Sequence, residues 1–314
     1  MKTITTIMAF LIFNTFLYSQ EKYVSITMDD LFFAFNDTGI KGIEAGSDSL
    51  LNSITKLRIP VTIFVNEKSL YKSGETKRRL SLYDKWIGNP FVTIGNHTYS
   101  HINYADTKLS LFEDDIIKGE TITKELLKKA GKKLKYFRFP YNCTGKDSIS
   151  RSEIYDYLNK KGYTSTPFTI ESMDYMYNSL YCSYIKKGKI KEANEIINKY
   201  INFTVNLFEY FENVTNDLYG RNISQIFLCH TNQLNAVCFE KLIIRLKEKG
   251  YKFISTDEAL RDKIYQSKDY YTEHYGISWI YRWIENAEAR KKLMRKEPYS
   301  KEIEQQYNSL INKP

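Results

Sequence analysis

The stretch Tyr23-Val-Ser-Ile-Thr-Met-Asp-Asp30 decides the fold. Residues 23–28 are β-favouring and largely apolar, the pattern of a buried strand, and two carboxylates follow at once. The pattern recurs at 61–65, 91–95, 135–139, 163–170, 223–230 and 251–255. Helical periodicity fills the intervals at 44–58, 75–87, 108–130, 147–161, 187–213 and 235–249. Gly131, Gly162 and Gly250 follow helical stretches, as residues past a helix C-terminus often do. Seven short strands separated by helices predict an α/β protein with parallel strands joined by crossovers. An open sheet and a barrel related to the (β/α)₈ family both satisfy that pattern.

The polar residues sit where the strands stop. Asp29 and Asp30 follow the first strand, His97 follows the third, Arg138 ends the fourth, Glu171 follows the fifth and His230 ends the sixth. In a parallel barrel the C-terminal ends of all strands open on one face, where active sites form. Five strands therefore deliver chemistry-bearing side chains to one rim.

Each segment has its own chemistry. The adjacent carboxylates Asp29 and Asp30 can divide their roles, one binding a cation while the other moves a proton. In His97-Thr-Tyr-Ser-His101 the two histidines are four apart. On a helix they would share a face and chelate one ion. Asp30, His97 and His101 then make three ligands, and three ligands with an open position mark a catalytic rather than a structural zinc site. The imidazole–carboxylate mix suits Zn²⁺ and also admits Co²⁺, Ni²⁺ or Mn²⁺. Arg138 stays protonated and can hold a carboxylate in place. In Arg138-Phe-Pro-Tyr141, Pro140 fixes a turn that aims the Tyr141 N–H toward the site as an oxyanion donor. Leu228 and His230 share one face of their strand, which positions His230 as a general acid. A carboxylate from Glu171-Ser-Met-Asp174-Tyr175, either Glu171 or Asp174, would pair with His230 and raise its pKa.

These five segments, in this order, resemble the polysaccharide deacetylases of carbohydrate esterase family 4, the NodB-homology domain. That family carries Thr-Phe-Asp-Asp, His-Ser/Thr-X-X-His, Arg-X-Pro-Tyr/Phe, Asp-X-X-Asp-Trp and Leu-X-His. The resemblance spans roughly residues 22–262. It implies a distorted (β/α)₇ barrel, hydrolysis of N- or O-linked acetyl groups, and an acetylated polysaccharide or oligosaccharide as substrate. It assigns Asp29 as the base that activates water at the metal, and Asp30, His97 and His101 as metal ligands. Arg138 would orient Asp29, the Tyr141 N–H would join the metal in stabilising the oxyanion, and His230 would protonate the leaving group. Tyr141, Tyr175 and Leu228 would line the substrate. The chain departs from the family at Met28 for Phe, Leu31 for Gly, Glu171 for Asp and Tyr175 for Trp. Those departures motivate one alternative, a non-catalytic glycan-binding protein stabilised by its metal. A second alternative keeps the fold and hydrolyses a different amide.

The flanks complete the domain plan: residues 1–20 a signal peptide, 21–262 the catalytic domain, 263–314 a helical extension. Lys2 precedes an apolar run at 7–18, and Ser19-Gln20 offers a small-residue exit. This predicts an exported protein, periplasmic or secreted, with no transmembrane segment once the leader is removed. Export permits disulfides, but Cys143, Cys182, Cys229 and Cys238 match no zinc-ribbon or redox spacing, and we expect mostly buried thiols with room for one bridge. The net charge is +9, with lysines spread along helices as solvated faces, and no nucleic-acid-binding signature accompanies it. In the tail, Ile277, Ile280, Ile284 and Ala287 form a stripe expected to pack on the barrel. Trp279 and Trp283 are expected to pack with it rather than line a sugar groove, and His274 is read as a surface or packing residue.

Overall fold

The structure is a computed structural model describing residues 21–32, 34 and 38–312. The expected signal peptide at 1–20 lies outside the described residues. The chain forms β1 (Lys22–Asp29), α1 (Gly39–Leu57), β2 (Val61–Val65), α2 (Thr76–Gly88), β3 (Val92–Asn96), α3 (Leu109–Lys118), α4 (Thr121–Lys129) and β4 (Tyr136–Phe137). It continues with α5 (Ser148–Lys160), β5 (Thr164–Ser165), β6 (Ile170–Glu171), α6 (Asp174–Lys186), α7 (Ile190–Tyr219), β7 (Gln225–His230), α8 (Gln233–Glu248) and β8 (Tyr251–Phe253). α9 (Thr256–Ala259) follows β8, and the tail adds α10 (Trp279–Arg282), α11 (Ala287–Met294) and α12 (Lys301–Ile311).

All strand pairings are parallel, in the order β5-β4-β3-β2-β1-β7-β6, with β8 pairing the first residues of β1. The expected strand at 163–170 is thus present as two short pieces on opposite edges of the sheet. The Thr166 N–H donates to Phe137 O on one side and the Thr169 N–H donates to Ile226 O on the other, each at 2.8 Å. Pro167 stands between them with no N–H to give. One segment therefore bridges the two edges and curls the sheet into a distorted (β/α)₇ barrel.

β1 shows how the sheet serves the site. Val24, Ile26 and Met28 are fully buried in the main hydrophobic core. The alternate residues Ser25, Thr27 and Asp29 are also buried, but on hydrogen bonds: Ser25 with Thr256, Thr27 with Phe227 O, Asp29 with Arg138. A strand buried on both faces is expected in a parallel sheet covered by helices.

Three helix expectations need correction. The span 108–130 is two helices that part at Gly119, where a Cβ would meet the Thr98 carbonyl carbon at 2.5 Å. The loop carrying the histidines presses on that turn, and only glycine admits it. α6 was not anticipated, because its run of tyrosines and serines lacks a clear apolar stripe. The stripe from Ile277 to Ala287 is not one helix: α10 ends at Arg282, and Ala287 opens the separate α11 and is exposed. Packing of this region still holds, since Trp279, Ile280, Tyr281 and Trp283 are buried in the main core. All four cysteines are unpaired thiols, three of them buried. Among the described residues, no helix is long and apolar enough to cross a membrane.

Candidate active site

Asp29, Asp30, His97, His101, Tyr141, Glu171, Tyr175, Leu228 and His230 line one cleft of about 430 Å³ at the C-terminal ends of the strands. Of the other expected site residues, Arg138 and Asp174 lie fully buried directly behind it.

The two carboxylates after β1 separate as expected. Asp29 ends the strand in register with His230 of β7 and is 2 % exposed. Arg138 Nη1 donates to Asp29 Oδ1 at 2.9 Å and to Thr27 Oγ1 at 2.7 Å. The same guanidinium donates to the carbonyls of Thr166 and Pro167, so four acceptors fix it. Asp30 turns away because its backbone is left-handed, with φ at +61°. Aspartate tolerates that region better than most residues. Leu31 is fully buried, its N–H on Phe64 O, and its backbone needs no glycine.

His97 and His101 converge, but no helix brings them together. Residues 97–101 form a loop in which Thr98 and His101 both have positive φ, at +64° and +60°. Side chains hold it: Thr98 Oγ1 accepts from His101 N, Asn96 Oδ1 accepts from Thr98 N, and Asn66 Nδ2 donates to His97 O. Strain of this kind persists where the surroundings over-determine the backbone, and here it clusters at the site.

The cluster fits a divalent ion. Asp30 Oδ1 lies 3.6 Å from His97 Nε2 and 3.5 Å from His101 Nε2. Atoms bound at about 2.0–2.2 Å to one tetrahedral ion stand roughly 3.3–3.6 Å apart. Asp30 Oδ1 is buried and has no hydrogen-bond partner among the described residues. A lone buried carboxylate oxygen is costly unless something cationic meets it. His97 Nδ1 faces the Arg138 carbonyl at 2.8 Å, which can only accept. The ring proton is therefore on Nδ1 and the Nε2 lone pair points at Asp30, as in metal-bound histidines. Burial, reinforced by neighbouring His101, lowers the His97 pKa to about 3, so the ring is neutral.

His230 has a different environment. Its Nδ1 meets Asp174 Oδ1 at 2.7 Å, and its own N–H donates to Asp174 Oδ2 at 2.8 Å. Asn232 and Asn235 donate to Oδ2 as well, at 2.8 and 2.7 Å. Burial works against a charge on His230, but Asp174, with Asp30 and Asp29 behind it, outweighs that and lifts the pKa to about 10. Asp174, the first residue of α6, is thus the partner of His230. Glu171 is not; it lines the cleft from the end of β6. Burial pushes Glu171 up to about 7, with His230 pulling down and Asp174 and Asp29 pushing up.

Three cleft residues were not anticipated: Asn142, Tyr275 and Gly276. Asn142 follows the Arg-X-Pro-Tyr segment directly. Tyr275 and Gly276 come from the tail, in an irregular stretch whose sequence carries no periodicity to place it. His274 Nε2 sits 2.9 Å from Asp106 beside them, a surface pairing as expected.

A curled parallel barrel with an Asp–His–His cluster at its C-terminal rim defines the class. The family model for polysaccharide deacetylase matches residues 18–153. Those residues, with the Asp29–Asp30, His97–His101 and Arg138–Tyr141 segments among them, match the polysaccharide deacetylase, or NodB-homology, domain. Similar solved structures include a mutant, with restored enzymatic activity, of a CE4 family pseudoenzyme from Bacillus anthracis. It is 19% identical, the match covers 76% of this chain and 68% of that one, and the TM-score is 0.50. Another is PdaA of Bacillus subtilis, a family 4 carbohydrate esterase, at 18% identity, 76% and 81% coverage and a TM-score of 0.50. These likenesses are of fold. No curated protein matches the chain.

Proposed function

We propose that this chain is a metal-dependent hydrolase that removes N- or O-linked acetyl groups from a carbohydrate polymer or oligosaccharide, and that it acts after export. One observation carries the reading: a single rim presents an arginine-held carboxylate, an Asp–His–His cluster and a carboxylate-backed histidine, each to the same cleft.

Asp30, His97 and His101 would hold a divalent ion, Zn²⁺ or else Co²⁺, Ni²⁺ or Mn²⁺. Such an ion supplies Lewis-acid polarisation of a carbonyl and makes water more acidic. Asp29 is the base: Arg138 occupies its Oδ1, which leaves Oδ2, 3.8 Å from His97 Nε2, to take a proton from attacking water. The Tyr141 N–H, set by a turn with φ at +54°, is the donor for the developing oxyanion. His230 is the acid. It enters the reaction protonated, gives its Nε2 proton to the leaving nitrogen or oxygen, and Asp174 fixes its orientation throughout. Buried Leu228 and half-exposed Tyr141 and Tyr175 form the walls that meet the acetyl group and its sugar.

The test is acetate release from a panel of acetylated glycans. The wild type releases acetate, and Asp29→Asn loses about 10²–10⁴ in rate while binding metal as before. Equal release by the variant refutes the base, and no release by the wild type refutes the hydrolase.

A further inference from the structure

The tail does more than pack. Residues 269–283 form a strap laid across the loop that carries Tyr141. Arg282 is its rivet: 1 % exposed, paired with Asp269, it donates to Asn142 O at 3.0 Å and Thr144 Oγ1 at 2.6 Å and lies 4.0 Å over the Trp279 ring. Gly276 touches the loop directly, its N–H donating to Tyr141 O at 2.8 Å. A methyl at 276 would collide with the carbonyl and Cβ of Asn142, so the approach requires glycine.

Between these anchors stands Tyr275. Its backbone is fixed on both sides: Tyr271 Oη donates to Tyr275 O at 2.9 Å, and Asn103 Nδ2 donates to His274 O at 3.3 Å. Its side chain is nonetheless 61% exposed. The ring lies 6.1 Å from Tyr141, which lies 4.6 Å from His101. An aromatic ring left open to solvent on a fixed backbone, one ring outward from the candidate metal ligands, is a preformed contact surface.

We propose that the strap is the outer wall of the substrate groove and that Tyr275 is the platform for the sugar ring adjoining the one that reacts. The chain then selects oligomeric substrates over single sugars. This rests on the deacetylase reading above and adds a specificity-determining residue to it.

The probe is a ladder of N-acetylglucosamine oligomers of one to five rings. In the wild type kcat/KM rises with length. In Tyr275→Ala the pentamer-to-monomer ratio falls about 2- to 12-fold, the range expected for one lost ring contact, and Tyr275→Trp restores it. Gly276→Ala lowers the ratio in the same direction by displacing the strap. An unchanged ratio in Tyr275→Ala overturns the proposal. Calorimetric binding of the same oligomers to metal-loaded Asp29→Asn protein decides the platform without turnover: the pentamer binds more tightly than the monomer, and adding Tyr275→Ala removes the difference. Equal binding of the two by Asp29→Asn with Tyr275 in place overturns the platform. Absence of acetate release with that length preference intact overturns the hydrolase and leaves the platform standing.

Discussion

Replacing Asp174 by Asn tests the acid end of the site. The carboxylate is fully buried and accepts four hydrogen bonds, one on Oδ1 from His230 Nδ1 and three on Oδ2 from His230 N, Asn232 and Asn235. An amide of the same shape keeps the three by placing its oxygen at Oδ2. Its NH₂ then faces His230 Nδ1, which must give up its proton to accept. His230 becomes neutral, with the remaining proton on Nε2. Breaking a buried charge pair costs about 3–5 kcal/mol, and with three bonds kept we expect the lower end, about 3 kcal/mol. The pH dependence has a definite sign. Pairing raises the His230 pKa from 6.5 to about 10, so this stabilisation is full below 6.5 and is lost as pH rises through 10. Urea denaturation should show the wild type ahead by about 3 kcal/mol at pH 6, and the gap should shrink as pH rises from 6.5 and close by about pH 10. An NMR titration of the metal-free protein should find His230 near 10 in the wild type and below its ordinary value in the variant. Acetate release at neutral pH should fall about 10²–10⁴-fold. A His230 that still titrates near 10 in Asp174→Asn, or a rate within about threefold of wild type, rules out Asp174 as the group that charges His230.

Other outcomes follow from the same contacts. Arg138→Met leaves Asp29 buried without its cation and should cost about 3–5 kcal/mol by chemical denaturation; Arg138→Lys should not rescue it, because a lysine cannot reach four acceptors. His101→Ala should weaken zinc binding by more than about 100-fold in calorimetry, with the fold intact because the side chain stands at the cleft rather than in the core. Arg282→Ala should speed hydrogen exchange across residues 269–283 while leaving the barrel strands protected.

How much of this was legible beforehand depends on what each feature rests on. The strands were legible because burial on both faces leaves continuous apolar runs, and their polar ends marked the rim. Where backbone geometry decides, the sequence was less informative. The pairing of His97 with His101 looked helical by spacing, yet a loop with two left-handed residues achieves it, held by Asn66 and Asn96 from neighbouring strand ends. The rivalry of Glu171 and Asp174 turned on α6: starting a helix at Asp174 points its carboxylate at the Asn232 and Asn235 amides, and no local pattern announced that helix. The fifth strand split because Pro167 falls where the barrel must bridge its two edges. Tyr275 was out of reach, since its place depends on Arg282 folding back over a loop some 140 residues earlier in the chain.

The proposed function requires that the Asp30, His97 and His101 cluster serve acetyl hydrolysis. The measurement that meets it directly is acetate release from an acetylated glycan by protein stripped with chelator and then reloaded with Zn²⁺, Co²⁺, Ni²⁺ or Mn²⁺. The stripped protein should release none and recover with at least one of these ions, and His97→Ala should not recover. Release that persists without metal, or recovery in His97→Ala equal to wild type, would contradict that requirement.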